Sequence, residues 1–267
     1  MGTIEYRFVF EGMAPMRFQV ALDRADSDAV DGSPHADWTR LGVHQCANCP
    51  LKSADRNYCP AAADLEPIVE QFRGISSYEP VRVEVVTPQR THTKSCDVQT
   101  GLRSLIGLVM STSGCPWFSR LRGLAQTHLP FANLEETLFR VVGAYLIQQY
   151  FAARDGEVPD YSLGRLEELY QGLAKANESF KRRLEFASTQ DANVNALCAL
   201  SVISQGVSFF ISEHLQHLKA HFAPYPMSPA SVPFPGPLGS SRNPALADLR
   251  NNEVDHELPD SVGDRSY

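Results

Sequence analysis

The sequence has no excess of positive charge, which bears on nucleic-acid binding. Lysine and arginine number 24 against 31 aspartate and glutamate residues, and the formal net charge is -7 at pH 7. Affinity for nucleic acid comes largely from neutralisation of phosphates by lysine and arginine. We therefore expect no nucleic-acid partner, and we interpret the short basic stretch Lys181-Arg182-Arg183 as a solvated helix face.

The sequence also lacks a hydrophobic run free of polar residues. The longest uncharged run, Ala192 to Ser212, contains asparagine, glutamine and several serines, and this favours a buried helix of a soluble protein over a membrane span. The first residues, MGTIEYRFVF, have neither a basic n-region nor a long apolar h-region. We therefore expect no signal peptide and a cytoplasmic location.

Several catalytic motifs are missing as well. We find no phosphate-binding glycine loop, no G-x-S-x-G and no H-E-x-x-H. The carboxylates are scattered over predicted helix faces, and no pair stands out as an acid and a base. These absences lower the expectation of an enzyme and leave the question open.

What is present begins with alternation of apolar and polar residues. IEYRFVFEG and MRFQVALD alternate, and a second pair of alternating segments lies in VRVEVVTPQRTHTKSC. This period is typical of half-buried strands. It predicts a small antiparallel four-stranded sheet, with the segment that contains three of the six cysteines inserted between its two hairpins.

From Asp97 onward the apolar residues recur with the period of helices. Asp97 is a predicted helix cap, and Asn133 with Glu136 has the spacing of a capping box. The predicted fold class is α+β, with the sheet packed on a bundle of about four to five helices. We expect a β-rich part at 1–96 with a cysteine loop at 42–60, and a helical part at 97–223 that packs with it as one unit. Residues 224–267 are rich in proline and are predicted to be a disordered acidic tail.

Three cysteines fall within the segment HQCANCPLKSADRNYCP. Cys46 and Cys49 have the C-x-x-C spacing that lets two sulfurs bind one ion, and Cys59 follows ten positions later. Cys115 is distant in sequence, but Cys49, Cys59 and Cys115 are each followed by proline, as is a cluster ligand in bacterial ferredoxins. We therefore predict a metal site with four cysteine ligands, for Zn²⁺ or an iron–sulfur cluster, built by Cys46, Cys49, Cys59 and Cys115.

Alternatives to this site stay open. His44 is a second candidate for the fourth ligand, because H-x-C-x-x-C gives a set of three cysteines and one histidine, and His128 is a candidate hydrogen-bond donor behind the ligands. Cys46 and Cys49 are also candidates for a redox pair, although LKSADRNYCP does not favour a strong helix. The leading function is a metal-binding protein, with a structural or sensory metal, that acts through a protein partner. The alternative is an oxidoreductase that uses the C-x-x-C pair or an iron–sulfur centre.

The motifs HQCANCPL, YCP, SGCPWF and HLPF, with NVNAL and HFAPY further on, resemble an uncharacterised bacterial family that is catalogued as a domain of unknown function. The resemblance covers roughly residues 4 to 225. It implies a cytosolic bacterial protein whose pattern includes Cys46, Cys49, Cys59 and Cys115, with Cys96 and Cys198 outside it. It implies no substrate and no reaction.

Overall fold

The alternating segments form a four-stranded antiparallel sheet in a computed structural model, which describes residues 2–23 and 34–222. The strands are β1 (Thr3–Val9), β2 (Met16–Ala21), β3 (Pro80–Val86) and β4 (Thr91–Asp97). Their order in the sheet is β2-β1-β3-β4, and every neighbouring pair is antiparallel. The predicted sheet is confirmed, and the cysteine segment lies between its two hairpins along the chain.

Helices make up most of the remaining described chain. They are α1 (Pro60–Phe72), α2 (Val98–Thr112), α3 (Arg122–Ala125), α4 (Leu134–Arg154), α5 (Gly164–Ala187) and α6 (Ala192–Phe222). Short 3-10 helices lie at Asp37–Thr39 and Phe118–Leu121. The α+β class is therefore confirmed. The predicted tail at 224–267 lies outside the described residues, and the domain boundaries stay predictions.

Two helix starts follow the predicted capping chemistry. The Asp97 carboxylate accepts a hydrogen bond of 2.9 Å from the Thr100 amide at the start of α2. At the start of α4, the Asn133 side chain accepts from the Glu136 amide, while the Glu136 carboxylate accepts from the Asn133 amide. Both arrangements satisfy amides that have no partner within the helix.

One face of the sheet packs against α1 and α2. Tyr6, Phe8 and Val83 on this face are fully buried, and the Phe72 ring of α1 lies 4.9 Å from the Phe8 ring. Helix α2 approaches the sheet closely at Gly101, where a Cβ atom would come within 2.6 Å of Val83. The end of α1 and the first turn of α2 are thereby held against the sheet, and Cys59 and Cys115 lie beyond the opposite ends of these two helices.

Helix α1 is not predicted by the sequence analysis. It begins at Pro60, directly after Cys59, and proline is favoured at the first helical position because its missing amide hydrogen is not needed there. Ala61, Ala62 and Leu65 in its first turns are fully buried. The signal for this helix was present in the sequence, because Leu65, Ile68, Val69 and Phe72 are buried at helical spacing while Glu70 and Gln71 are exposed.

Candidate functional site

Cys46 and Cys49 lie in the loop that precedes α1. The Cys49 amide donates to the Cys46 carbonyl oxygen at 3.0 Å, which closes a tight turn between them. The Cys46 thiol lies 3.7 Å from the carbonyl oxygen of Ala176 on α5 and donates to it. The turn therefore presents Cys46 to α5, as the C-x-x-C spacing allows.

Cys59 caps the start of α1. Its amide donates to the Thr39 carbonyl oxygen at 2.8 Å, and an antiparallel bridge joins Arg40 to Tyr58. Burial raises the pKa of Cys59, and Arg183 with the nearby amides of Ala62 and Ala61 offsets part of this rise. The Cys59 side chain itself makes no capping hydrogen bond.

Cys115 repeats this arrangement after α2. The nearby amides of Phe118 and Trp117 offset part of the rise that burial causes in the pKa of Cys115, and the Ser119 amide donates to its carbonyl oxygen at 3.0 Å. Both Cys59 and Cys115 are followed by proline, and in both cases the amides of the second and third residues after the cysteine act to lower the thiol pKa against the effect of burial. The Cys-Pro step thus has the same local environment at both positions.

The thiols of Cys46, Cys49, Cys59 and Cys115 interact with one another, and we call them the four-cysteine cluster. Burial, followed by the nearby thiols of Cys59, Cys115 and Cys49, raises the pKa of Cys46 to about 12. Burial is also the main reason that the pKa of Cys115 is raised to about 11, with smaller contributions from Cys59 and Cys49. Three separate segments thus bring the four predicted cysteines into one neighbourhood.

Arg183 of α5 is the cation of this neighbourhood. Its side chain is 1% exposed and donates to the carbonyl oxygens of Trp38 at 2.6 Å and Arg40 at 2.7 Å. Burial lowers the pKa of Arg183, whereas Cys59, Cys46 and Cys49 raise it. A buried charge is costly unless it is paired, and the thiols are ionisable groups of the opposite sign beside it.

Arg183 corrects one interpretation made from the sequence. Lys181 and Arg182 are solvated, with side chains 39% and 65% exposed, but Arg183 is buried. The helical period of the sequence could have indicated that Arg183 is buried. Position 183 is three residues after Phe180 and next to Leu184, and both of these residues lie on the apolar face of α5. A basic run gives no indication of burial by itself, and here its third member faces the core.

Helix α5 covers the cysteine loop through a second contact. The Asn48 side chain donates to the Gly172 carbonyl oxygen at 2.9 Å, and the Trp117 indole donates to the Asn48 carbonyl oxygen at 2.8 Å. Asn48 lies between Cys46 and Cys49, and Trp117 follows Cys115 by two positions. These two hydrogen bonds therefore connect both cysteine segments with α5.

The two candidate histidines lie in different places. His44 is exposed, has a positive φ of 44°, and its ring centre is 6.2 Å from that of Phe186. His128 contacts the sheet, because its Nε2 lies 2.6 Å from the Tyr6 hydroxyl. The structure thus places His128 beside Tyr6 and two cavities, and His44 on the outer side of α5.

The remaining two cysteines lie on other elements. Cys96 is on β4, opposite Val81 of β3, and Cys198 is on α6. All six cysteines are free thiols. Within residues 2–23 and 34–222, no three His, Cys, Asp or Glu side chains have an arrangement that would hold a metal ion. The predicted metal site therefore stays a prediction.

None of the helices within the described ranges has the length and apolar character needed to cross a membrane.

The fold and the four-cysteine cluster together define the class of this protein: an α+β protein in which four thiols lie beneath a long helix. Residues 4–223 match the family model described as Domain of unknown function (DUF6901). The chain belongs to this family. No curated protein and no solved structure gives a significant match.

Proposed function

We propose that the four-cysteine cluster binds one metal centre, Zn²⁺ or an iron–sulfur cluster, which holds the cysteine loop to α1, α2 and α5. The observation that supports the proposal most is the mutual interaction of Cys46 with Cys49, Cys59 and Cys115. Sets of soft thiolate ligands select these metals among those available in cells. The metal is structural in this proposal, because the ligands come from three separate segments.

The charges around the cluster fit such a centre. Four thiolates around Zn²⁺ have a net charge of about -2, which a protein interior must offset. Arg183 supplies a buried positive charge, and the amides beside Cys59 and Cys115 also favour the charged form of these sulfurs. Such outer groups orient metal ligands and stabilise their charge. Because burial raises the pKa of Cys46 and Cys115 without a metal, the proposal requires the bound cation to stabilise the thiolates.

The experiment is metal analysis and optical spectroscopy of the native protein, purified without oxygen. We expect one metal centre per chain, colourless for zinc and brown for an iron–sulfur cluster. Cys59→Ser and Cys115→Ser should each lose most of the metal, whereas the matched controls Cys96→Ser and Cys198→Ser should keep it. If Cys115→Ser keeps the metal and His44→Ala loses it, the fourth ligand is His44. Metal-free native protein would refute the proposal.

The oxidoreductase alternative is less well supported. Reactive C-x-x-C cysteines have a lowered pKa that keeps the thiolate available, whereas burial raises the pKa of Cys46 to about 12. A redox role through an iron–sulfur centre requires the brown protein of the experiment above. Reversible bleaching of that colour by dithionite would favour this alternative over a structural metal.

We also propose that the protein works in the cytoplasm through a protein partner. The support is a group of exposed apolar side chains on one helix, α4: Ile147 is 60% exposed, Tyr150 51% and Phe151 56%. Contiguous apolar surface of this kind is typical of interaction sites. Ile147→Asp should abolish capture of a specific partner from cytoplasmic extract, while Val158→Asp, at a loop residue that is 81% exposed, should not. Equal capture by both variants would contradict the proposal.

A further inference from the structure

Two neighbouring cavities lie around His128. The first has a volume of about 140 Å³ and lies between α2, α4, α5 and α6. The second has a volume of about 450 Å³ and lies between the start of β1, the β3–β4 turn and the loop at 126–129. His128, Leu129 and Arg140 line both cavities. They therefore form the wall that the two cavities share.

The cavity walls are basic although the chain as a whole is acidic. Arg103 and Arg140 line the first cavity, and Arg90, His92 and Arg140 line the second. Within the described part of the chain, neither lining includes an aspartate or a glutamate. The net charge over the sequence is -7, so a basic cavity lining is a local exception to the acidic character of the chain. It produces a positive potential inside a low-dielectric recess, where it acts on a ligand most strongly.

The two arginines of the first cavity have carbonyl oxygens as partners. Arg140 donates to Leu124 at 2.9 Å and to Thr127 at 2.8 Å, and Arg103 donates to Ala132 at 3.2 Å. Asp97 and Glu136 act on these guanidinium groups electrostatically, but both carboxylates are engaged as helix caps. Each guanidinium has five N–H donors. Donors therefore remain for a ligand.

Apolar side chains make up much of the remaining lining of the first cavity, which also includes Ser104, Ser111, Thr137 and Ser204. Leu108, Leu124, Val141, Leu200 and Ile203 contribute side chains to its wall. Its volume of about 140 Å³ is close to that of an apolar cavity of about 150 Å³ that accepts benzene. A small number of polar groups within an apolar lining is the usual construction of a small-molecule site.

We propose that the first cavity binds a small organic anion, with its acidic group between Arg103 and Arg140 and its apolar body against the leucine-rich wall. A carboxylate and a phosphate monoester share this chemistry. Arg90 in the second cavity adds positive potential on the side from which the anion approaches. The site is separate from the four-cysteine cluster, and the inference does not rest on the proposed metal.

Calorimetric titration of the full chain with benzoate, benzyl alcohol and benzylamine tests the site. We expect benzoate to bind and the alcohol and amine to bind at least about tenfold more weakly, because a charged hydrogen bond is lost. Phenyl phosphate distinguishes the two acidic groups, since tighter binding than benzoate assigns a phosphate monoester. Equal binding of benzoate and benzyl alcohol would overturn the proposal, as would no binding of either anion at millimolar concentration.

Variants of residues that line the first cavity, compared with a control variant elsewhere, distinguish a loss of binding from a loss of folding. Arg103→Gln and Arg140→Gln should each weaken benzoate binding about tenfold or more, while Arg17→Gln, at an arginine whose side chain is 59% exposed on β2, should not. Gly107→Val narrows the cavity without removing charge, because a Cβ at this position lies 3.5 Å from Leu200. It should weaken benzoate while the circular dichroism spectrum stays native. Unchanged affinity in all three cavity variants would overturn the proposal.

Discussion

Gly172 on α5 lies against the Trp117 indole so closely that a Cβ atom at position 172 would come within 2.0 Å of the Trp117 Cζ3 atom. Trp117 follows Cys115, and its indole donates to Asn48 in the cysteine loop. The absence of a side chain at 172 therefore allows α5 to cover the cluster. We predict that Gly172→Ala lowers the free energy of unfolding by about 1–3 kcal/mol through overpacking, measured by urea denaturation.

A matched glycine on α4 controls for helix propensity. A Cβ atom at Gly143 would have no neighbour within 4 Å among the described residues. Gly143→Ala should therefore stabilise the protein by up to about 1 kcal/mol, because alanine loses less backbone entropy on folding. If both substitutions shift the urea midpoint in the same direction, the close contact at Trp117 does not determine stability.

Arg183 gives the second prediction. Replacing it with methionine keeps much of the side-chain volume but leaves the carbonyl oxygens of Trp38, Arg40 and Leu41 without its N–H donors. We expect Arg183→Met to destabilise the protein by about 2–4 kcal/mol, because buried carbonyls without partners are costly. Arg182→Met is the neighbouring control. Its side chain is 65% exposed and pairs with the exposed Glu178, so we expect a change within about 0.5 kcal/mol.

Locally encoded features could be predicted from the sequence. The two hairpins follow from alternation over a few residues, and the caps at Asp97 and Asn133 follow from residues three positions apart. Their physical causes act within one turn or one strand, so neighbouring residues determine them. The sheet and the starts of α2 and α4 could be predicted for this reason, whereas α1 was missed.

Features that depend on contacts between distant residues could not be predicted from the sequence. The burial of Arg183 depends on carbonyl oxygens more than 140 positions away in the chain, and the contact of Gly172 depends on Trp117. The grouping of Cys115 with the other three cysteines was proposed from the shared Cys-Pro step, and the electrostatic interaction of Cys115 with Cys59 and Cys49 in the fold depends on contacts between segments more than 50 positions apart.

His128 gives a prediction about pH. Burial, with Arg140 and His92 nearby, lowers its pKa from 6.5 to about 3. The folded protein therefore keeps this ring neutral where the unfolded chain would protonate it. Stability from this group is fully present above pH 6.5 and is lost as the pH falls from 6.5 towards 3. We expect urea midpoints to fall over this range, and His128→Gln to have a smaller dependence on pH.

A second variant separates this effect from general acid denaturation. Tyr6→Phe removes the hydroxyl bonded to His128 Nε2 but keeps an aromatic ring at a fully buried position. We expect it to lose stability at every pH and to keep the slope between pH 6.5 and 3 that His128 produces. If the slope of His128→Gln equals that of the native chain, the titrating group lies elsewhere.

Metal removal gives the last prediction and depends on the proposed function. Structural zinc contributes about 10–16 kcal/mol of apparent binding energy at neutral pH, and a domain has a net stability of only about 5–15 kcal/mol. A strong chelator should therefore unfold the cysteine loop or the whole chain.

Alkylation followed by mass spectrometry measures this effect residue by residue. Before chelation we expect iodoacetamide to modify Cys96 and Cys198, which are partly exposed, and to leave the four-cysteine cluster unmodified. After chelation the cluster should react together as its cover opens. Without a metal, burial would still protect Cys59 and Cys115 at 8% and 9% exposure, whereas the partly exposed Cys46 and Cys49 would react before chelation, as Cys96 and Cys198 do. Protection that does not change with chelator would thus identify packing, and not a metal, as its cause.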